Sequence, residues 1–355
     1  MRFYLFGVSV LVNVLDLSEK ELKEKLKELN ILPFRAKQLV DACFQYKDFD
    51  EVSNIAQKEK DVLKEQFCLR ALEVVTKQES KDGTIKFALK CGDGNIIETV
   101  LMSYSYGYTI CVSTQVGCRM GCAFCASTRN GLVRNLEASE ILGQIICVNR
   151  FLSNSKNKRK ITNIVLMGCG EPFDNYKNVK KFLHLVTDEK HLNFSERNIS
   201  ISTCGLVPKI YQLADDGFKI NLTISLHAPN DEIRKKLMKV ANAFTIKQIL
   251  DACDYYFEKT HRRVYFEYTL CAGVNDSEEN ANELARLLKG RVAHVNIIAL
   301  NAVKESNLKT IERKDAYKFC QILLDNGLSA SVRRTLGADI DGACGQLRNK
   351  IIDEN

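Results

Sequence analysis

Strand-like segments alternate with amphipathic helical segments between residues 108 and 335, and this alternation limits the fold more than any other feature. Six apolar segments have the length and β-branched content of buried strands, and a seventh candidate follows them: 108–113, 161–168, 198–203, 220–227, 263–270, 294–301 and then 328–335. Because neighbouring parallel strands need helical crossovers, the pattern predicts an α/β fold. Its parallel sheet should close wholly or partly into a (β/α)6 barrel.

Residues capable of chemistry follow five of the six predicted strands. In a parallel barrel the carboxyl ends of all strands meet at one face, where the loops form the active site. The residues found at these positions are the cysteines after the first strand, then GCGEP (168–172), STCG (202–205), SLHAP (225–229) and Asn301. We therefore predict a single site at this face of the barrel.

The segments outside the barrel divide into three predicted parts. Residues 1–70 have helical patterns and form a small module, in which Ser18 and Glu21 make a capping box. Residues 71–104 are predicted to form a β-hairpin extension with turns at Asp82-Gly83 and at residues 92–94. The barrel should occupy residues 105–340, and residues 341–355 form a C-terminal segment.

Charge by itself leaves the partner open. The 51 Lys and Arg residues against 44 Asp and Glu residues give a net charge of +7, which is compatible with a nucleic-acid partner. Basic clusters at 156–160, at 234–239 and at Arg333-Arg334 have the same two interpretations, phosphate contacts or solvated surface.

The apolar stretch at residues 3–15 resembles the start of a signal peptide. No small-residue cleavage site follows it, and it is too short to span a bilayer. We predict a cytoplasmic chain that is not associated with a membrane. The cysteine content agrees, because a reducing compartment keeps thiols available for metal.

Four of the 14 cysteines lie between residues 111 and 125. Cys118, Cys122 and Cys125 have the spacing C-x3-C-x2-C, and three thiolates on a tight loop can hold three corners of a [4Fe–4S] cluster. The fourth iron would then be open to a small molecule. A zinc site needs a fourth ligand, which Cys111 could supply. The spacing favours the cluster and leaves zinc as the alternative.

Several separate motifs carry a specific resemblance. They are CVSTQVGCRMGCAFC (111–125), GCGEPFDNY (168–176), ISISTCGLVP (199–208), NLTISLHAPNDEIRKKLM (221–238) and DIDGACGQL (339–347). The cysteine spacing with the GE pair resembles the radical S-adenosylmethionine (SAM) superfamily, and the full set resembles the RlmN/Cfr family of RNA adenine methyltransferases. This resemblance implies a partial, TIM-like (β/α)6 radical SAM barrel. It also implies one [4Fe–4S] cluster on Cys118, Cys122 and Cys125, with two SAM molecules used per turnover.

The resemblance also implies roles for other residues. Cys344 is expected to carry the methyl group as S-methylcysteine, Cys111 to resolve a covalent intermediate by forming a disulfide bond, and Glu98 to accept a proton. The SAM-binding residues are expected to be Gly170, Glu171, Ser202, Ser225, Leu226, His227 and Asn301.

The implied reaction is methylation of carbon 2 of adenine in 23S rRNA and in tRNA. The enzyme should act as a monomer with an external electron donor such as flavodoxin or ferredoxin. Val116 and Pro172 favour this branch over the one that methylates carbon 8. A non-catalytic iron–sulfur or zinc-binding protein is a further alternative, against which Cys344 argues. Cys169 departs from the methionine usual in the family, and Asn301 lacks the usual flanking prolines.

Overall fold

The computed structural model describes residues 11–154, 160–300 and 308–340 together with Leu347, and the backbone of the short strands near the N-terminus. Two residues of the predicted site, Asn301 and Cys344, lie outside the described residues. So do four of the residues in the first basic cluster, 156–159.

The N-terminal part is a helical module, as predicted. Its elements are β1 (Tyr4–Leu5), β2 (Val8–Ser9), β3 (Val12–Asn13), α1 (Glu19–Glu28), α2 (Arg35–Phe44), α3 (Gln57–Lys64) and β4 (Phe67–Cys68). The capping box is present: Glu21 N donates to Ser18 Oγ at 3.2 Å, and Ser18 N donates to a Glu21 carboxylate oxygen at 2.8 Å. Leu22 and Leu26 from α1 are buried. The predicted helix start is therefore confirmed.

Three antiparallel strands follow: β5 (Leu72–Glu79), β6 (Ile85–Cys91) and β7 (Ile96–Tyr104). Gly83 and Gly94 adopt φ values of +84° and +87° at the two turns, where a left-handed backbone favours glycine. β7 pairs with β8 (Gly107–Cys111), also antiparallel. The extension is thus continuous with the sheet of the barrel.

The barrel is built from parallel strands crossed by helices. The remaining elements are β9 (Gln115–Gly117), β10 (Leu132–Asn135), α4 (Ala138–Ser153), β11 (Ile161–Leu166), α5 (Tyr176–Thr187), β12 (Ile199–Thr203), α6 (Val207–Asp215), β13 (Asn221–Ser225), α7 (Asp231–Leu237), α8 (Ile246–Thr260), β14 (Val264–Leu270), α9 (Glu278–Leu288), β15 (Ala293–Ala299), α10 (Arg313–Asp325) and β16 (Ala330–Val332).

Ten strands form one sheet in the order β16-β15-β14-β13-β12-β11-β8-β7-β6-β5. Seven of them, β8 and β11 to β16, run parallel, and they correspond to the six predicted strands and the seventh candidate. The order has two free ends, so the barrel is partial. The predicted fold class is confirmed.

The helical module and the barrel pack into one body with a continuous apolar core. The Asp16 carboxylate accepts hydrogen bonds from Ser139 N at 2.9 Å and Ser139 Oγ at 2.6 Å, at the start of α4. The Tyr46 hydroxyl donates to Leu72 O at 3.0 Å. None of the helices in the described part of the chain combines the length and apolar character of a membrane span.

Candidate active site

The cysteine loop is closed at its base by a short antiparallel ribbon of β9 and β10. Cys118 N donates to Gly131 O at 2.9 Å. Gly117 has a φ of +79°, and a Cβ atom there would lie 2.0 Å from Gly131 O. Only glycine fits at this position, because any side chain would push the two strands of the ribbon apart.

The loop opens into a cavity of about 290 Å³ at the carboxyl ends of the parallel strands. The three cysteines of the loop line it together with five of the residues predicted to bind SAM: Gly170, Glu171, Ser202, Ser225 and His227. These residues come from four segments of the chain that are distant in sequence, and each segment lies at or after the end of a parallel strand. The fold therefore brings the thiols and the polar groups to one place.

The donor set fits an iron–sulfur cluster. Within the described ranges, no three His, Cys, Asp or Glu side chains are grouped so as to hold a single metal ion. A cluster instead lets each thiolate bind its own iron. Burial raises the pKa of the Cys118 thiol to about 12, and burial and the charges of Cys125 and Cys118 raise the pKa of Cys122. Such thiols ionise when a cation compensates their charge, as cluster iron would.

Glu171 fastens two strand ends together. Its carboxylate accepts hydrogen bonds from Cys204 N at 2.7 Å and Phe173 N at 3.0 Å. Burial raises the pKa of this carboxyl, and the hydrogen bonds oppose the rise. Gly170, with φ of +109°, packs against Gln115, whose side chain accepts from Glu171 N at 2.9 Å. The carboxylate oxygens keep further lone pairs for a ligand ammonium group.

His227 is held as a neutral imidazole at the cavity wall. Its Nδ1 accepts a hydrogen bond from Thr269 N at 3.0 Å, so the proton lies on Nε2. Burial lowers the pKa of His227 to about 3, and the charge of Arg234 adds to this effect. The backbone of His227 is left-handed, with φ of +58°, and the Phe124 ring meets the imidazole edge-on at 4.6 Å.

Three other residues of the predicted SAM site differ in environment. The hydroxyl oxygens of Ser202 and Ser225 lie 3.4 Å apart at the cavity. The Leu226 side chain is buried in the apolar core, and Leu226 does not belong to the lining of the cavity. Leu226 N already donates to Glu267 O at 3.1 Å, and Leu226 O accepts from Arg234 at 3.3 Å, so only the second lone pair of this main-chain oxygen remains for a ligand.

Arg234 has a structural role. The two interpretations of the basic cluster at 234–239, phosphate contacts or solvated surface, are both wrong for Arg234. Its side chain is fully buried and donates to Cys204 O at 2.6 Å and to Leu226 O at 3.3 Å. It neither faces solvent nor can reach phosphate. It ties the ends of β12 and β13 to α7 beneath the cavity.

A second cavity of about 450 Å³ adjoins the first. Cys111 lines it, and Met167, Ile298 and Arg333 line both cavities. Burial raises the pKa of the Cys111 thiol to about 11. Cys111 therefore lines a neighbouring cavity, which shares these three residues with the cavity of the cluster cysteines.

Glu98 lies on the same face of the sheet as Cys111. The register pairs Val100 with both Cys111 and Lys86, and Glu98 is two residues from Val100 along β7. The Glu98 carboxylate forms a buried ion pair with Lys86 at 3.1 Å. Glu98 does not belong to the described lining of either cavity.

The end of the described chain is anchored beside the second cavity. Gly337 N donates to Asp82 at 2.8 Å, and Asp339 accepts from Lys81 N at 3.1 Å and from Ser80 Oγ. These partners belong to the β5–β6 turn, and Thr84 at the end of this turn lines the cavity.

Sequence reasoning did not identify Glu267 and Arg333 as site residues. Glu267 is buried on β14, lines the first cavity and pairs with Arg333 Nη1 at 3.4 Å. The sequence does contain a signal for Arg333, because this residue directly follows the last parallel strand. Residues at strand ends face the barrel mouth, and this rule could have singled out Arg333.

Comparisons with known proteins agree with this arrangement. A family model described as the radical SAM superfamily matches residues 112–285, and a model of the N-terminal domain of ribosomal RNA large subunit methyltransferases matches 12–69. The probable dual-specificity RNA methyltransferase RlmN of Clostridium novyi is 48% identical over 346 residues, covering 97% of this chain and 99% of that protein. Its counterpart in Clostridium perfringens is 50% identical over 343 residues, covering 96% and 97%. The chain belongs to the RlmN family.

A solved structure supports the RlmN assignment. The crystal structure of a radical SAM methyltransferase from Sphaerobacter thermophilus has a TM-score of 0.89 to this chain at 40% identity, covering 94% of this chain and 98% of that one. The chain is therefore a radical SAM RNA methyltransferase, an enzyme of the transferase class that uses a [4Fe–4S] cluster and SAM. The predictions of family, fold, enzyme class and cofactors are confirmed.

The non-catalytic alternative is wrong, because relatives named as methyltransferases match nearly the whole chain. The roles of individual RlmN-family residues and the domain boundaries at 70, 104 and 340 stay predictions.

Proposed function

We propose that the chain methylates carbon 2 of adenine in 23S rRNA and in tRNA, in the cytoplasm, as a monomer. The observation that carries the proposal is the pair of adjoining cavities, one lined by Cys118, Cys122 and Cys125 and the other by Cys111. The clostridial relatives are named dual-specificity RNA methyltransferases RlmN, which favours the carbon-2 reaction over the carbon-8 alternative.

The first cavity suits the cofactors. Cys118, Cys122 and Cys125 would hold the cluster, and Gly170, Glu171, Ser202, Ser225, His227 and the main chain of Leu226 would bind SAM, with Asn301 as a further expected contact. When bound and reduced by a flavodoxin or ferredoxin, the cluster supplies the electron that splits SAM and yields a 5′-deoxyadenosyl radical. The neutral His227 can donate a hydrogen bond without adding charge near the sulfonium group.

Cys344 would act as the methyl carrier, because carbon 2 of adenine is electron-poor and does not attack the methyl group of SAM. Its thiolate would take the methyl group of the first SAM molecule and then lose a hydrogen atom from that methyl group to the radical. Cys344 is four residues beyond Ile340, a distance that extended chain spans with at most about 14 Å. Asp339 is anchored to the β5–β6 turn beside the Cys111 cavity, so Cys344 would be able to reach this cavity.

The Cys344 methylene radical would add to carbon 2, joining protein and RNA. Glu98 would take one proton from the adducted carbon. One electron would return to the cluster held by Cys118, Cys122 and Cys125, equal to the electron supplied for SAM cleavage, and the aromatic ring would be restored. The Cys111 thiolate would then attack the sulfur of Cys344 and form a disulfide bond. The released carbon takes up a proton and becomes the new methyl group. An external thiol reduces the disulfide for the next cycle.

The test separates the two thiols. Cys111→Ala should still load a methyl group on Cys344 and then accumulate a covalent protein–RNA adduct, whereas Cys344→Ala should form neither. Denaturing gels should show an adduct band that nuclease collapses and a thiol reductant leaves intact, because the link is a thioether.

Cys253→Ala is the matched control, since Cys253 is a buried core thiol on α8. Mass spectrometry of the nucleosides identifies the position of the methyl group. Methylation at carbon 8, or wild-type turnover by the Cys111 variant, would contradict the proposal.

A further inference from the structure

Two tyrosines stack at the β7–β8 turn, next to the cavity that contains Cys111. The rings of Tyr104 and Tyr106 are nearly parallel, with an interplanar angle of 6° and centroids 5.1 Å apart. The Tyr106 hydroxyl lies 3.3 Å from Thr109 Oγ1, which fixes the ring. Tyr106 is nevertheless 60% exposed. Since Tyr104 covers one face of the Tyr106 ring, the outer face remains open to a ligand.

The position of this pair relates it to the reaction. Tyr104 lines the Cys111 cavity, so the stack extends from the cavity wall to the surface. A nucleobase bound in this cavity would lie beside the Tyr104 ring, because Tyr104 is part of the lining. The two stacked tyrosines therefore lie at the edge of the Cys111 cavity, at the β7–β8 turn.

The surrounding charge indicates the kind of partner. Arg334 is exposed and follows Arg333 in the wall of the cavity. Lys160 is also exposed, and it lies next to the β7–β8 turn, because its main-chain oxygen accepts a hydrogen bond from Tyr108 N at 3.1 Å. An exposed aromatic face with exposed cations nearby matches single-stranded RNA, in which a base stacks and the neighbouring phosphates contact the cations.

We propose that Tyr104 and Tyr106 form a stacking platform for the nucleotide next to the target adenine, while the adenine itself enters the Cys111 cavity. This inference rests on the proposed methylation of RNA. Removing a base from its stack has a free-energy cost, and stacking its neighbour on a ring that is already held in place offsets part of it. Because the contacts with Tyr104 and Thr109 already orient the Tyr106 ring, ordering it on RNA binding costs less conformational entropy.

The experiment compares Tyr106→Ala with Tyr106→Phe on an RNA hairpin with an unpaired target adenine. Base–aromatic stacking predicts that the alanine variant raises Kd and KM for RNA about 5- to 150-fold, while the phenylalanine variant stays within about 2-fold of wild type. Two further RNAs each carry the fluorescent base 2-aminopurine, one at the 5′ neighbour of the target adenine and the other at its 3′ neighbour. Wild-type enzyme should quench the fluorescence of one of them, and Tyr106→Ala should not.

Tyr317→Ala is the matched control, because Tyr317 is 52% exposed on α10. Methylation of Cys344 without RNA should be equal in all variants, which shows that the first half-reaction and the fold are intact. If wild-type enzyme leaves the hairpin unmethylated, the proposed function fails. If wild type methylates it and Tyr106→Ala binds RNA equally well, only the platform is overturned. If Tyr106→Ala slows the reduction of the cluster by flavodoxin and leaves KM for RNA unchanged, the surface binds the electron donor. That result would also overturn the platform.

Discussion

Arg333 reaches from the end of β16 to the buried carboxylate of Glu267 on β14, with Nη1 3.4 Å from Oε2. The other Glu267 oxygen accepts a hydrogen bond from Asn296 at 3.0 Å. The Arg333 guanidinium lines both cavities. The negative charge of Glu267 raises the pKa of Arg333. Arg333 thus borders both the cavity of the cluster cysteines and that of Cys111, and Glu267 holds it there.

Arg333→Met should lower the free energy of unfolding by about 2 kcal/mol, because Glu267 would keep its charge without a cation. The loss is smaller than for a fully buried pair, since the Arg333 side chain is 37% exposed. Glu267→Gln combined with Arg333→Met should recover most of the stability but not the rate of RNA methylation. Urea unfolding and single-turnover methylation measure the two effects. Additive losses of stability would contradict a direct pairing.

Gly117→Ala should prevent the cluster from loading, because its Cβ atom would lie 2.0 Å from Gly131 O. Gly131→Ala is the matched control. It also has a positive φ, of +64°, but a Cβ atom there meets nothing within 4 Å, so only the backbone strain of about 1 kcal/mol remains. Iron per chain after anaerobic reconstitution should fall severalfold more in the Gly117 variant. Circular dichroism checks that both variants fold. Equal iron contents would show that the ribbon tolerates the clash.

Cys111 should react as a thiol with a pKa near 11, not near its ordinary value of 9.0. At pH 8 this leaves about 100-fold less thiolate, since each pH unit is a factor of ten. Alkylation of Cys111 by iodoacetamide should keep rising about tenfold per pH unit between pH 7 and 9.5. Peptide mass spectrometry measures the rate at this site, with urea-denatured protein as the control. A plateau near pH 9 would mean that burial does not raise this pKa.

His227 should make the fold sensitive to acid. Its pKa is about 3 in the folded protein against an ordinary value of 6.5, so the unfolded chain binds the proton more tightly. The contribution of His227 to the free energy of unfolding is therefore fully present above pH 6.5. It is lost as the pH decreases towards 3, and the loss is about 2 kcal/mol at pH 5. His227→Asn tolerates the left-handed backbone and removes the titration. Its free energy of unfolding should change less between pH 7 and 5 than that of wild type. An equal change in both would assign the acid sensitivity to other groups.

Local sequence patterns determined the elements and the residues at their ends. Apolar segments that alternate with helical ones predicted six parallel strands and a seventh candidate, and the capping box at Ser18 predicted the start of α1. The rule that strand ends meet at one barrel face brought the cysteines, Glu171 and His227 together correctly. These features depend on side-chain periodicity and on a general property of parallel sheets, and both can be read from neighbouring residues.

Only the tertiary structure decided which side chains meet. Arg234 reads as part of a basic surface cluster yet lies buried, and Leu226 sits in a site motif yet points into the core. Glu267 and Arg333 are 66 residues apart, and Lys86 meets Glu98 through the register of two strands. A shift of register by one residue would turn each of these strands' side chains to the opposite face. Register and burial follow from packing the whole sheet against its helices, and no local pattern contains that information.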